Sequence, residues 1–167
     1  MTNQQSFEKF QKDLAEGNVG EQIIAHFLKN RYGYKIKSFN NDKLYDFILE
    51  KNGKFIKFEV KTDCYEYFKG YTTDNIFFEI KHKGEPSGIM VTTAEWFVYY
   101  FPFHEKVYFI KTEDVKKIMK ERPDLFVRKE LSGDGGRVLG YTMNRFDGEE
   151  YFKILDLKLP KYFHKYL

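Results

Sequence analysis

The dipeptide Asn52-Gly53 constrains this chain more than any other pair of residues. A two-residue type I′ turn needs positive φ at both central positions, and Asn-Gly tolerates that with little strain. Tyr45-Asp46-Phe47-Ile48-Leu49 before it reads as a strand, and so does the segment from Phe55 to Cys64 after it. With the turn at Asn52-Gly53, Lys51 faces Lys54, and the other pairings follow: Leu49 with Ile56, Phe47 with Phe58, Asp46 with Glu59. A one-residue slip would exchange the two faces, so the register is strongly specified. One face of this hairpin is apolar. The other carries Asp46, Lys57, Glu59, Lys61 and Asp63.

Like charges directly opposed across a strand pair destabilise it, with Cβ atoms roughly 4.5–5.5 Å apart. A bound cation offsets that repulsion. Two carboxylates without a neighbouring Cys or His suit hard Mg²⁺ or Mn²⁺ better than Zn²⁺. Lys61 projects from the same face as Glu59, about 7 Å along the strand. Such a set can activate water and neutralise a phosphodiester, with the lysine orienting the water or stabilising developing charge. A solvated strand face of alternating charge is the competing reading; the hairpin register favours the site.

Upstream, Val19, Ile23, Ile24, Phe27 and Leu28 recur at helical spacing, and Gly33 is a good stop for a helix over about 19–32. Glu21 lies along this apolar stripe, which directs its carboxylate toward the sheet at the helix start. An acid in a first turn is also favoured by the helix dipole alone, so both readings of Glu21 stand.

Asp46 followed by Glu59-Val60-Lys61 resembles the D…ExK core of the PD-(D/E)XK nuclease superfamily. The segment Gly17-Asn18-Val19-Gly20-Glu21-Gln22-Ile23-Ile24-Ala25-His26-Phe27-Leu28 is similar to the first helix of that fold in archaeal Holliday-junction resolvases and their relatives. In that group a helix glutamate joins the metal site, and Glu21 matches it. The resemblance spans residues 17–63; Leu44-Tyr45 stands where the motif places a proline before the aspartate. It implies a restriction-endonuclease-like α/β fold, with a mixed central β-sheet flanked by helices, and metal-dependent hydrolysis of DNA. By that resemblance Asp46 and Glu59 ligate Mg²⁺ or Mn²⁺, joined by the Val60 carbonyl and by Glu21 directly or through water. Lys61 orients or helps deprotonate the attacking water, and in-line attack leaves a 5′-phosphate and a 3′-hydroxyl. Resolvase-like relatives act as dimers, which implies a homodimer here. The stretch from Asn75 to Tyr100 resembles segments of phage-encoded members, which argues for a viral origin.

A chain of 167 residues is expected to form one domain, 1–167, with a full core. Its formal net charge of +3 permits nucleic-acid binding without demanding it. With 18 Phe and 13 Tyr, aromatics must fill most of the core, leaving exposed tyrosines as candidates for stacking on bases. One cysteine excludes an internal disulfide, and Cys64 continues the apolar parity of its strand. The N-terminus has no apolar signal region and no apolar run reaches membrane-spanning length. These features predict a soluble, cytoplasmic protein, encoded by a cell or by a virus acting inside one, with no membrane partner.

Elsewhere the pattern predicts a short helix on Phe7, Phe10 and Leu14, and strands at Tyr34–Phe39, Asn75–Ile80 and Val107–Ile110. It also predicts a turn at Gly84–Gly88, a helix opening at Thr112, and further strands between Arg137 and Leu159. Thr92 or Thr93 is placed to cap a short helix through Ala94, Glu95 and Trp96. Glu79 and Lys81 echo Glu59 and Lys61, with a solvated edge as the favoured reading. Ser132–Arg137 reads as a mobile connecting loop; it lacks the Gly-Lys-Ser/Thr of a phosphate loop. The four histidines show no zinc spacing, and His82 and His104 are assigned ordinary packing or surface roles ahead of proton transfer. No Gly-x-Ser-x-Gly elbow supports a serine nucleophile.

Lys35-Ile36-Lys37, Lys81-His82-Lys83, Lys116-Lys117 and the tail from Lys158 to Lys165 interleave cations with aromatic or apolar residues, as a backbone-contacting surface does. The expectation is a metal-dependent DNA endonuclease, structure-directed or weakly sequence-specific. Its alternatives are a non-catalytic nucleic-acid- or protein-binding module on the same fold, or another enzyme on which the acidic face is coincidental. RNA stays open as a substrate.

Overall fold

The computed structural model describes residues 19–40, 44–63, 73–133 and 136–158. The expected helix on Phe7, Phe10 and Leu14, Cys64, and the tail beyond Lys158 lie outside them. Helix α1 (residues 19–32) ends at Gly33, whose φ of +72° and amide bond to the Lys29 carbonyl (3.0 Å) complete a left-handed cap. Strands β1 (Lys35–Phe39), β2 (Phe47–Lys51) and β3 (Lys54–Thr62) follow, then β4 (Asn75–His82) and the short β5 (Glu85–Pro86). Strands β6 (Trp96–Phe101) and β7 (Lys106–Lys111) lead into helix α2 (Thr112–Glu121), and β8 (Val127–Gly133), β9 (Gly136–Asn144) and β10 (Lys153–Asp156) follow.

The strands form two sheets. The central one has the order β1-β2-β3-β6-β7-β10, with β3 parallel to β6 and its other neighbours antiparallel. The second has the order β5-β4-β9-β8. The architecture is therefore α/β, with a mixed central sheet and, among the described residues, two helices. The second sheet was not expected. It begins inside the crossover between the parallel strands β3 and β6.

Alternation along β3 and β6 sorts the core into two layers. Phe58, Val60, Val98 and Tyr100 face α1, where Ile23, Ile24, Ala25 and Leu28 meet Phe47 and Leu49. Phe97, Tyr99 and Phe101 point the other way, to Ile76, Phe78 and Met143 of the second sheet and Val115 and Ile118 of α2. Because β6 is buried on both faces, it reads as a continuous apolar run without a period. That is why the sequence reading put a capped helix here. Instead the Thr92 hydroxyl accepts from the Ala94 amide (3.2 Å) in a turn, and Trp96 begins a strand.

Of the segment expected as a loop over Ser132–Arg137, Ser132 and Gly133 belong to β8 and Gly136 and Arg137 to β9, paired Ser132↔Arg137 and Gly133↔Gly136; residues 134 and 135 lie outside the described residues. Polar β8 carries too little apolar alternation to announce itself. Among the described residues no helix is long and apolar enough to cross a membrane.

Candidate active site

The hairpin has the register that its turn chemistry dictates. Asn52 and Gly53 adopt φ of +53° and +74°, and Lys51↔Lys54, Leu49↔Ile56 and Phe47↔Phe58 are paired. The ladder stops there. Asp46, expected opposite Glu59, leaves the regular pattern: its amide donates to the Phe58 carbonyl (2.8 Å) and its carbonyl accepts from Asn40 (2.7 Å). Its carboxylate still reaches β3, where Oδ2 accepts the Val60 amide at 2.6 Å. The aspartate is thus fixed by a charge-assisted bond to the residue between Glu59 and Lys61.

Glu59 is only 6% exposed, so its charge needs a partner. Lys61 supplies one, with Nζ 2.7 Å from Oε1. The Thr92 hydroxyl, which donates to the Leu44 carbonyl at 2.8 Å, lies 3.5 Å from Oε2. Glu59 and Lys61 stand beside Phe97 and Tyr99 of β6, on the side of the sheet that faces the second layer. Parallel pairing with β6 holds both residues on a strand in the middle of the sheet, just beyond the end of the antiparallel ladder with β2.

Glu21 reaches the same end of β3 from α1. The contact is close because residue 20 is glycine: a Cβ there would fall 1.9 Å from Thr62 Oγ1. Burial, followed by the charges of Asp46 and Glu59, pushes the Glu21 carboxyl up to about 7 even though Lys61 works against them. Asp46 is pushed up to about 6, first by burial and then by Glu59, with Lys61 and the Val60 amide opposing. Burial works to lower the Lys61 ammonium, but Glu59 and Asp46 outweigh it and hold it above the ordinary lysine value. Three carboxylates therefore converge on one cation of the chain, and two of them are short of positive charge.

That shortage is the observation that bears on a divalent ion. The oxygens that would hold one are all hard: those of Asp46, Glu59, the Val60 carbonyl and Glu21. This chemistry fits Mg²⁺ or Mn²⁺. Among the described residues, no three His, Cys, Asp or Glu side chains gather closely enough to ligate one ion by themselves. The fit is to a pair of carboxylates supplemented by backbone and water, as Mg²⁺ commonly takes.

Asp46, Glu59 and Lys61 line a cleft of about 250 Å³ whose other wall is Glu79, His82, Ser87 and Gly88. The sequence reading favoured a solvated edge for Glu79 and Lys81. Lys81 is exposed, but Glu79 faces the cleft and accepts the Ser87 hydroxyl at 2.5 Å. Gly88, at φ +53°, lets this loop press onto β4; a Cβ there would sit 2.5 Å from the Glu79 carbonyl oxygen. The Glu79–Lys81 echo was the available signal, and only the packing of the 87–92 loop gives it meaning. His82 also lines the cleft, whereas His104 lies 3.6 Å from Asp74.

No protein-family profile matches the chain. No curated protein matches it. Among solved structures it is similar to a bacterial homing endonuclease, I-Ssp6803I, at 19% identity and a TM-score of 0.43, over 59% of this chain and 64% of that one. The chain thus spans just under two thirds of that endonuclease's length. At this distance the chemistry has to be read from the side chains.

Proposed function

We propose that the protein is a metal-dependent deoxyribonuclease of the PD-(D/E)XK type. The observation that carries this reading is the convergence of Asp46, Glu59 and Lys61 in one cleft, with Glu21 close enough to feel the charges of all three. They come from a strand entry, a central strand and a helix start; the Val60 amide holds Asp46, and Glu59 and Lys61 hold each other. Asp46, Glu59 and the Val60 carbonyl would hold Mg²⁺ or Mn²⁺, with Glu21 bound directly or through water. When bound, that ion supplies charge neutralisation at a phosphodiester.

The chain's own groups do the rest. The Val60 amide keeps Asp46 pointing at β3, so its carboxylate does not have to reorganise. Burial of Glu59 keeps bulk water from screening it. Lys61 carries a full positive charge into the cleft, where it orients the attacking water and stabilises the charge that develops on the phosphoryl oxygens. In-line attack then leaves a 5′-phosphate and a 3′-hydroxyl. The substrate is branched or duplex DNA, cut in a structure-directed or weakly sequence-specific manner as in Holliday-junction resolvases, and two symmetric cuts would call for a homodimer. A phage origin fits the same reading.

A second reading is a non-catalytic nucleic-acid- or protein-binding module on this fold. It is favoured by the 2.7 Å Lys61–Glu59 pair, which already neutralises the carboxylate.

The test is cleavage of supercoiled plasmid, linear duplex, single strand and a four-way junction in Mg²⁺, Mn²⁺ or EDTA, wild type beside Lys61→Ala. The nuclease reading expects metal-dependent cutting that the variant loses. Undiminished cutting by folded Lys61→Ala would remove this mechanism, and a folded wild type that binds DNA but cuts nothing would favour the binding module.

A further inference from the structure

Gly88 walls the cleft, and Met90, two residues on, lines a separate pocket of about 360 Å³. Two residues of backbone span at most about 7 Å, so cleft and pocket are neighbours across one short turn. Ile89 anchors that turn in the second core layer and leaves Met90 half exposed, at 53%. The pocket has the size of a small-ligand site.

Its interior is apolar and aromatic. Phe126 and Tyr141 meet edge to face, with centroids 6.4 Å apart and planes at 82°. A flat ligand on the face of one ring therefore meets the edge of the other. Met119 adds a soft, adaptable wall. Lys116 and Lys120, one helical turn apart on α2, line the same space, and among the described residues no acid does. Arg128 stands opposite Tyr141 in the β8–β9 ladder, hence on the same face of that sheet, and is exposed.

The acids of this region are placed elsewhere. Asp124 pairs with Arg122 at 2.8 Å and Glu130 with Arg137 at 2.9 Å. On α2, Asp114 and Glu121 fall on the other flank, and Glu113 sits a turn before Lys116, outside the pocket. Among the described residues no carboxylate forms an ion pair with Lys116, Lys120 or Arg128. The pocket thus suits a flat group that carries negative charge. A nucleobase with its phosphate has both properties, and stacking on aromatic side chains accepts any base. Inside a duplex a base is already stacked, so only an unpaired one enters such a site.

We propose that this pocket holds one unpaired base of the substrate DNA against Phe126 and Tyr141, with Lys116 and Lys120 on its phosphate. The inference rests on the nuclease reading for the identity of the nucleic acid, and it narrows the substrate to DNA with an unpaired base beside the cut.

The experiment follows the methyl resonances of isotope-labelled methionines in the full chain, in EDTA so that cutting does not intervene. Met90 and Met119 line the pocket, whereas Met143 is buried against Gly148. Met90→Leu and Met119→Leu assign the two signals. The probes are deoxyadenosine monophosphate, a fully paired duplex with closed ends, and the same duplex with one bulged adenine. The ring current of a bound base should shift Met90 and Met119 with the mononucleotide and with the bulged duplex, while Met143 stays in place. The paired duplex should leave all three nearly unmoved. Lys116→Gln/Lys120→Gln should weaken mononucleotide binding by about tenfold or more. No shift at millimolar mononucleotide, an unchanged affinity in the double variant, or equal shifts with the paired duplex overturns the proposal. Shifts that follow protein concentration instead of nucleotide would make the pocket an interface between copies, and overturn it as well. Metal-dependent cutting by a wild type that shows no such shifts removes the pocket and leaves the nuclease. The expected shifts without cutting of any substrate keep the pocket and remove the catalysis. A wild type that shows neither removes both.

Discussion

At the scale of single residues, the site is defined by an excess of carboxylate over cation. Glu21 and Asp46 hold their protons more tightly in the folded protein than their ordinary values of 4.5 and 3.8 allow, at about 7 and about 6. The folded state therefore binds more protons than the unfolded one across that window. Their contribution to stability is fully present below the ordinary values and is lost as pH rises through about 6 to 7. Thermal melts in EDTA should show wild type losing stability across this range, and Glu21→Gln, which has no carboxylate to ionise, should lose less. Equal slopes for the two proteins would mean that Glu21 does not feel the site. Mg²⁺ should act in the opposite sense, raising Tm more at about pH 8 than at about pH 5, because ligands must shed their protons to bind it. No Mg²⁺ effect on Tm at the higher pH would remove the metal assignment independently of any activity.

At the scale of elements, two turns hold the site by different means. The Asn52-Gly53 turn sets the hairpin register through backbone conformation alone: nothing lies within 4 Å of a Cβ built on Gly53. Gly53→Ala should therefore cost only the left-handed strain of an L-residue, about 1–2 kcal/mol by urea denaturation. At Gly88 the same strain combines with collision against the Glu79 backbone and Cβ. Gly88→Ala should cost clearly more than Gly53→Ala and should loosen the cleft wall; equal losses would show that the 87–92 loop yields freely. The first turn was legible because its chemistry is local. The second was read as a plain turn at Gly84–Gly88, because its demand for glycine comes from a strand that the sequence does not place beside it.

At the scale of the whole molecule, the central sheet is shared by two cores. Phe47 stacks on Phe58 at 5.2 Å on the α1 side, and Phe78 meets Phe97 at 5.1 Å on the other. Both Phe47 and Phe78 are fully buried. Phe47→Ala and Phe78→Ala should each cost about 3–5 kcal/mol. Since β3 and β6 face both layers, each variant should shift one common unfolding transition. Two separate transitions in Phe78→Ala would mean that the second sheet unfolds by itself, and the expectation of one domain would fall.

The sequence by itself determined whatever rests on local chemistry: the hairpin and its register, the α1 stripe with its Gly33 stop, the start of α2, and the common face of Glu59 and Lys61. Each follows from backbone preference or from a side-chain period, and both are written in neighbouring residues. Tertiary structure alone decided where the chain leaves those rules. Asp46 departs from the ladder to bond the Val60 amide, β6 is a strand because apolar layers cover both its faces, and Glu79 lines a cleft because the loop through Ser87 and Gly88 folds back on β4. These outcomes depend on which distant segments supply the missing hydrogen bonds and buried contacts. Pattern within a segment carries no record of its partners, so the two carboxylates of the motif could be named in advance, but the opposite wall of their cleft could not.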